Sequence, residues 1–131
     1  MRFLLDTHIV LRWFFEPKKL SLEQTRVMRE AARRGESVAL SASSLIEIAT
    51  WRNEGRHRVD ASISDIFAEL EMNPIFRILP ITFPIAIDAG ALSILRDPAD
   101  RTIVATARVH RLRLLTSDRR IVDSKLVSVI D

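Results

Sequence analysis

Four carboxylates in this sequence stand where regular elements are predicted to begin or end: Asp6, Glu47, Asp100 and Asp118. Asp6 closes the apolar run RFLL (2–5), and Asp118 follows RLLT (113–116). Asp100 comes three residues after Asp97 in RDPADRTIVATA (96–107), and Glu47 lies in SASSLIEIATW (41–51). Brought to one place, they would supply oxygen donors of the kind that Mg²⁺ or Mn²⁺ accepts while keeping several waters. Two unit charges 4 Å apart repel by about 4 kcal/mol at an effective dielectric near 20. A domain stable by only about 5–15 kcal/mol cannot gather four such groups without a positive partner. Arg101 and Arg119 each directly follow one of these acids, Asp100 and Asp118, but a divalent cation is the stronger counterion. Zinc is disfavoured, because His8, His57 and His110 lack ligand spacing and the chain has no cysteine. These histidines are read as surface or supporting residues.

Each acid also has an ordinary structural use. Asp97 before Pro98 suits a helix N-cap with proline at the first position, which puts Asp100 in the first turn, where the helix dipole favours a carboxylate. Ser44 and Glu47 have capping-box spacing. Asp118 could cap a short helix starting near Arg119. Asp6 is harder to explain this way, since apolar residues flank it and it must lie close to the core.

The elements that would position these acids alternate between strand and helix. Strands are predicted at 2–5, 37–40, 76–81, 113–116 and 125–130, with Pro80 marking the third as irregular or at an edge. Helices are predicted at 21–35, 41–55, 61–73, 84–95 and 98–110. The first of these has Ser21 and Gln24 as a capping box and Gly35 as its stop, and Ser62 and Asp65 have capping-box spacing in the third. Alternation implies a mostly parallel sheet of about five strands covered on both faces, in a single α/β domain spanning 1–131. In such folds ligands bind beyond the carboxyl ends of the strands, where the strand order reverses, and all four acids would fall on that rim.

Composition narrows the class. The chain has 131 residues, 47% hydrophobic and 28% charged, which fits one globular domain and excludes a disordered one. No apolar run approaches the roughly 18–20 residues that cross a bilayer. Asp6 interrupts the apolar start and no small-residue cleavage site follows, so a cytoplasmic location is expected. The net charge is +3, and 17 of the 20 basic residues are arginine. Guanidinium forks match phosphate, which suits a nucleic-acid partner, although arginine-favouring base composition gives the same bias.

Four segments together resemble the PIN-domain ribonucleases, specifically VapC-type toxins of bacterial toxin–antitoxin pairs: LLDTHIVLRW (4–13), SASSLIEIATW (41–51), RDPADRTIVATA (96–107) and LLTSDRRI (114–121). Their order and separations are family-like over essentially the whole chain. The resemblance implies a three-layer α/β/α fold and a Mg²⁺- or Mn²⁺-dependent endoribonuclease. Its catalytic and metal-holding acids would be Asp6, Glu47, Asp100 and Asp118. Thr7, Asp97, Thr116 and Ser117 would support them, with Asp97 mainly starting its helix. Many relatives carry His-Arg before the Asp-Pro pair and a bulky aromatic after the proline. Leu95, Arg96 and Ala99 stand there instead, a departure expected to alter the pocket wall or RNA contacts.

RNA contacts are expected from Arg96, Arg101 and Arg119 around the acids, and from Arg56, His57 and Arg58 on a loop. The resemblance also implies a homodimer, and a heterotetramer or larger assembly with a small VapB-type antitoxin that offers an arginine to the acidic pocket. In LRWFFEP (11–17), Trp13, Phe14 and Phe15 sweep about 200° of a helix. At least one is therefore expected to face a partner; Trp13 and Phe14 are favoured, and Trp51, on the helix of the second segment, could join the same surface. The competing readings are a non-catalytic RNA- or protein-binding α/β module, in which the acids serve only as caps and arginine partners, and a DNA nuclease. A phosphoryl-accepting receiver domain is disfavoured: Asp6 is followed by Thr7, and no lysine closely follows LLTSD.

Overall fold

The computed structural model describes residues 1–55 and 63–131. Five strands form one sheet in the order β3-β2-β1-β4-β5. They are β1 (Phe3–Leu5), β2 (Val38–Ser41), β3 (Phe76–Leu79), β4 (Arg113–Leu115) and β5 (Val129–Ile130). Every neighbouring pair is parallel. Among the described residues seven α-helices surround it: α1 (Thr7–Phe15), α2 (Leu22–Arg34), α3 (Ala42–Asn53), α4 (Ile63–Met72), α5 (Phe83–Ala91), α6 (Pro98–His110) and α7 (Arg119–Ser124). The α/β architecture with a five-stranded parallel sheet is the one expected, and Pro80 does follow an edge strand. The last strand is shorter than the 125–130 read from sequence, because α7 runs to Ser124 and Lys125 turns out of it with positive φ.

Strand side chains alternate between two cores, as the pleat requires. Phe3, Leu5, Val38, Leu40 and Leu115 point to one face, where residues of α1–α4 cover them. Leu4, Ala39 and Leu114 point to the other, under Ile85 of α5, Ile103 and Val104 of α6 and Ile121 of α7. The strands read as continuous apolar runs because both faces are buried.

The chain builds β1, β2 and β3 outward in one direction, then returns to place β4 on the other side of β1. The order therefore reverses between β1 and β4, which opens a crevice at their carboxyl ends. The helices α1, α3 and α7 each start directly from a strand end at that rim, and α6 runs back toward the start of β4, so its N-terminus is there too.

Trp13, Phe14 and Phe15 do not sweep out into solvent. All three are half-buried against the α1–α4 core, with Phe14 packed on Phe76 at 5.5 Å and on Phe15 at 6.2 Å between ring centroids. The 200° argument assumes a helix touching the core on one side only; α1 also meets α3 and the 3-10 turn that follows it.

Candidate active site at the switch point

Asp6 is the residue where β1 becomes α1. Its backbone N–H still donates to Leu115 O at 3.0 Å, continuing the β1–β4 pairing, while its side chain caps α1 by accepting from Thr7 N at 2.8 Å. The carboxylate is 5% exposed, so its second oxygen needs a donor. Thr116 supplies it, donating through Oγ1 to Asp6 Oδ2 at 2.8 Å, and the same hydroxyl accepts from the N–H of Asp118 at 3.1 Å. One threonine thus ties the carboxylate after β1 to the backbone of the acid after β4.

Glu47 reaches the rim from α3 through Thr7, whose hydroxyl hydrogen-bonds Glu47 Oε1 at 2.6 Å and the buried Ser44 Oγ at 2.8 Å. Ser44 and Glu47 are not a capping box: Ser41 caps α3, accepting from Ser43 N at 3.2 Å. The S-x-x-E spacing places both side chains on the face that meets Thr7.

The sequence DPADR starts α6 in the expected way. Asp97 caps it, accepting from Ala99 N at 2.9 Å, Pro98 is the first helical residue, and Asp100 falls in the first turn. Asp97 is exposed, whereas Asp100 is only 8% exposed. Burial, with the charges of Asp97, Asp6 and Asp118 added, pushes the Asp100 carboxyl up from 3.8 to about 7. Asp118 goes the other way. Burial opposes its ionisation too, but hydrogen bonds from Arg120 and that residue's charge outweigh it and hold the carboxyl below its ordinary range.

Asp118 caps the six-residue α7 by accepting from Arg120 N at 2.9 Å. The Arg120 side chain folds back over the cap, with Nη2 3.0 Å from Asp118 Oδ2 and 3.6 Å from Asp100 Oδ2. Asp6, Glu47, Asp97, Asp100, Ser117 and Asp118 line one cavity of about 550 Å³, together with His8, Arg12, Lys19, Trp51 and Arg120. The N-caps of α1, α6 and α7, which are Asp6, Asp97 and Asp118, all line it, and those helix dipoles offset part of the negative charge.

The positive partner is therefore Arg120, and neither arginine expected from sequence fills that place. Arg119, one residue earlier, pairs with Asp131 at 2.7 Å. Arg101 is held by the carbonyl of Leu95, and Arg96 is exposed outside the cavity lining. Arg56, His57, Arg58 and the proposed cap Ser62 lie outside the described residues. Leu95 packs in the α5–α7 core and does not line the cavity. Trp51 lines the acid cavity and packs on the α1–α4 core.

Two further side chains support the rim; the reach of Gln24 was not legible in sequence, whereas His8 takes the supporting role read for it. The Nε2 of Gln24, read only as a capping residue, is buried and donates to Ser117 Oγ at 3.2 Å, Ile130 O at 3.2 Å and Thr116 O at 3.4 Å. It pins the β4–α7 loop while its Oε1 completes the box by accepting from Ser21 N. His8 accepts from Ser117 N at Nε2, 3.0 Å, and turns Nδ1 toward Asp6 Oδ2 at 3.5 Å, which fixes the Nδ1–H tautomer.

The donor set is oxygen-only carboxylate, suited to a hard cation. Among the described residues no three acid or histidine side chains already stand in a closed metal cage. Mg²⁺ does not require one, since one or two carboxylates plus water commonly suffice. The residues fit such an ion in chemistry, and Arg120 marks the point where positive charge is accepted.

The PIN domain family matches residues 3–125. Ribonuclease VapC22 of Mycobacterium tuberculosis is 36% identical over 120 residues, covering 90% of this chain and 88% of that protein. The fold is similar to that in the structure of VapBC2 from Rickettsia felis bound to a promoter DNA fragment, with a TM-score of 0.71, 15% identity, and coverage of 99% of this chain and 98% of that one. FitAcB from Neisseria gonorrhoeae gives a TM-score of 0.70 at 22% identity, covering 98% and 96% of the two chains.

Proposed function

Since the chain belongs to the PIN-domain family, among its VapC-type ribonucleases, we propose that it is a Mg²⁺- or Mn²⁺-dependent endoribonuclease toxin that hydrolyses RNA phosphodiester bonds and so inhibits translation or growth. The observation that carries the reading is the convergence of Asp6, Glu47, Asp100 and Asp118 on one cavity at the β1/β4 switch point. Acids used only as caps would not need Asp100 to be buried among three other carboxylates.

Asp6, Asp100 and Asp118, with Glu47 behind Thr7, would hold the ion. When bound, it supplies charge neutralisation at the phosphate and a lowered pKa for a coordinated water. The residues of the chain do the rest. Thr116 keeps Asp6 and the Asp118 backbone in register, and Thr7 keeps Glu47 turned inward. Asp118 or Asp100 would orient the attacking water. The N-terminal dipoles of α1, α6 and α7 favour the incoming phosphate.

Two partners belong to this reading. A VapB-type antitoxin would cover the acid cavity and neutralise it with a basic side chain. Self-association would use α5, where Phe83 and Ile87 are 88% and 76% exposed and Ile94 beyond the helix is 69% exposed. The remaining exposed residues of α5 are Pro84, Ala86, Gly90 and Ala91, so the face carries no charge and lets a second helix approach closely. Phe83→Glu is expected to shift the protein toward monomer in sedimentation equilibrium; an unchanged state would remove α5 from the interface.

The function is tested by incubating wild type and Asp100→Asn with a mixed small-RNA pool in Mg²⁺, Mn²⁺ and EDTA and mapping the cut ends. Metal-dependent cuts made by wild type and lost in the variant are expected. No cuts in any condition would overturn the nuclease reading.

A further inference from the structure

We propose that Arg120 is a built-in counterion that occupies the cation position of the acid cavity and must be displaced when a divalent metal binds. The inference deepens the metal-dependent reading above and rests on it. A single guanidinium nitrogen, Nη2, lies within 3.6 Å of oxygens from both Asp100 and Asp118, the two acids contributed by different helices. Nε and Nη2 together span both oxygens of Asp118, at 3.3 and 3.0 Å. An ion shared by these carboxylates would need the same oxygens that the guanidinium now contacts. Positive charges that close repel, so the two states exclude one another.

The exchange is made easy by where Arg120 sits. Its side chain is 71% exposed, so it can leave to solvent without opening the core. Its backbone N–H, not its side chain, satisfies the Asp118 cap at 2.9 Å, so α7 stays anchored when the guanidinium moves. Without metal, Arg120 relieves the repulsion between buried acids; with metal, a doubly charged ion takes over that role. Arg119 offers an internal comparison, with the same charge on the same helix committed to Asp131 instead.

Mn²⁺ binding followed by electron paramagnetic resonance of the free ion separates the outcomes, using folded wild type, Arg120→Ala, Arg120→Lys and Arg119→Ala. Arg120→Ala is expected to bind Mn²⁺ about three- to tenfold more tightly than wild type, Arg119→Ala to change by less than about twofold, and Arg120→Lys to fall between, because only the side chain at 120 competes directly. Melting temperature gives a second readout: metal-free Arg120→Ala should melt below wild type and gain more from Mn²⁺. Wild type that binds Mn²⁺ with an affinity that Arg120→Ala leaves equal or weakens would overturn the counterion role and leave the metal-dependent reading standing. Absence of Mn²⁺ binding in every variant would overturn both.

Discussion

The two rims of the sheet handle charge in opposite ways. At the strand starts, opposite charges meet in exposed pairs: Arg2 with Glu36 at 2.8 Å and, at the C-terminal end of α2, Arg33 with Glu30 at 2.6 Å. Such pairs are solvated, screened by salt and individually worth little. At the strand ends, Asp6 and Asp100 are buried beside Asp118, and one exposed arginine spans two of these acids. The first rim is balanced on its own, whereas the second is stabilised by caps and helix dipoles yet remains biased toward accepting more positive charge. Parallel topology produces the contrast, because it sends four helix N-termini to one rim and leaves the other without them.

The sharpest way to break the contrast is Asp100→Asn. Cleavage should fall by about 10²-fold or more, as when a group that acts on the transition state is lost, while the metal-free protein should melt at a higher temperature because a buried like charge is gone. Activity and stability moving together would mean that Asp100 is only a helix-start residue. Thr116→Val should be the larger structural injury. It leaves a buried Asp6 oxygen and the Asp118 N–H without their shared partner, and denaturant titration should show a loss of about 1–3 kcal/mol.

The pH dependence follows from Asp100. Its folded pKa of about 7 exceeds the ordinary 3.8, so between those values the folded protein holds a proton that the unfolded chain has released. Stability from this group is complete below about pH 4 and falls as pH rises toward 7. Melting curves should show that decline in wild type and lose it in Asp100→Asn. Asp118, with its pKa held down, contributes a loss only at lower pH, as its carboxyl becomes protonated. The smallest effect is expected at the strand-start rim, where Arg2→Ala should leave cleavage unchanged and barely move the melting temperature. A large loss there would show that the two rims are less different than their pairing suggests.

Sequence was most informative where local rules and function agree. Asp97-Pro98 and Asp118 announce helix starts, the apolar runs announce buried strands, and the parallel order then carries the acids to one end. It was least informative where a choice depends on side-chain direction. Arg119 and Arg120 are indistinguishable in sequence, yet a six-residue helix aims one at Asp131 and folds the other over its own cap. The spacing of Ser44 and Glu47 fits either a capping box or a shared face, and only the position of Thr7 separates them. Gln24 satisfied a local motif so well that its second role, holding the loop before Asp118 from 92 residues away, left no local trace. The aromatic run at 13–15 is packed from several sides, which one helix's periodicity does not show.

The central claim is that the strand-end rim is built for a divalent cation. Anomalous diffraction from crystals soaked in Mn²⁺ tests it most directly. A peak is expected among Asp6, Asp100 and Asp118, with the Arg120 side chain moved away from both of its carboxylates. A Mn²⁺-soaked crystal without a peak at this rim, and with Arg120 still bridging Asp100 and Asp118, would contradict it.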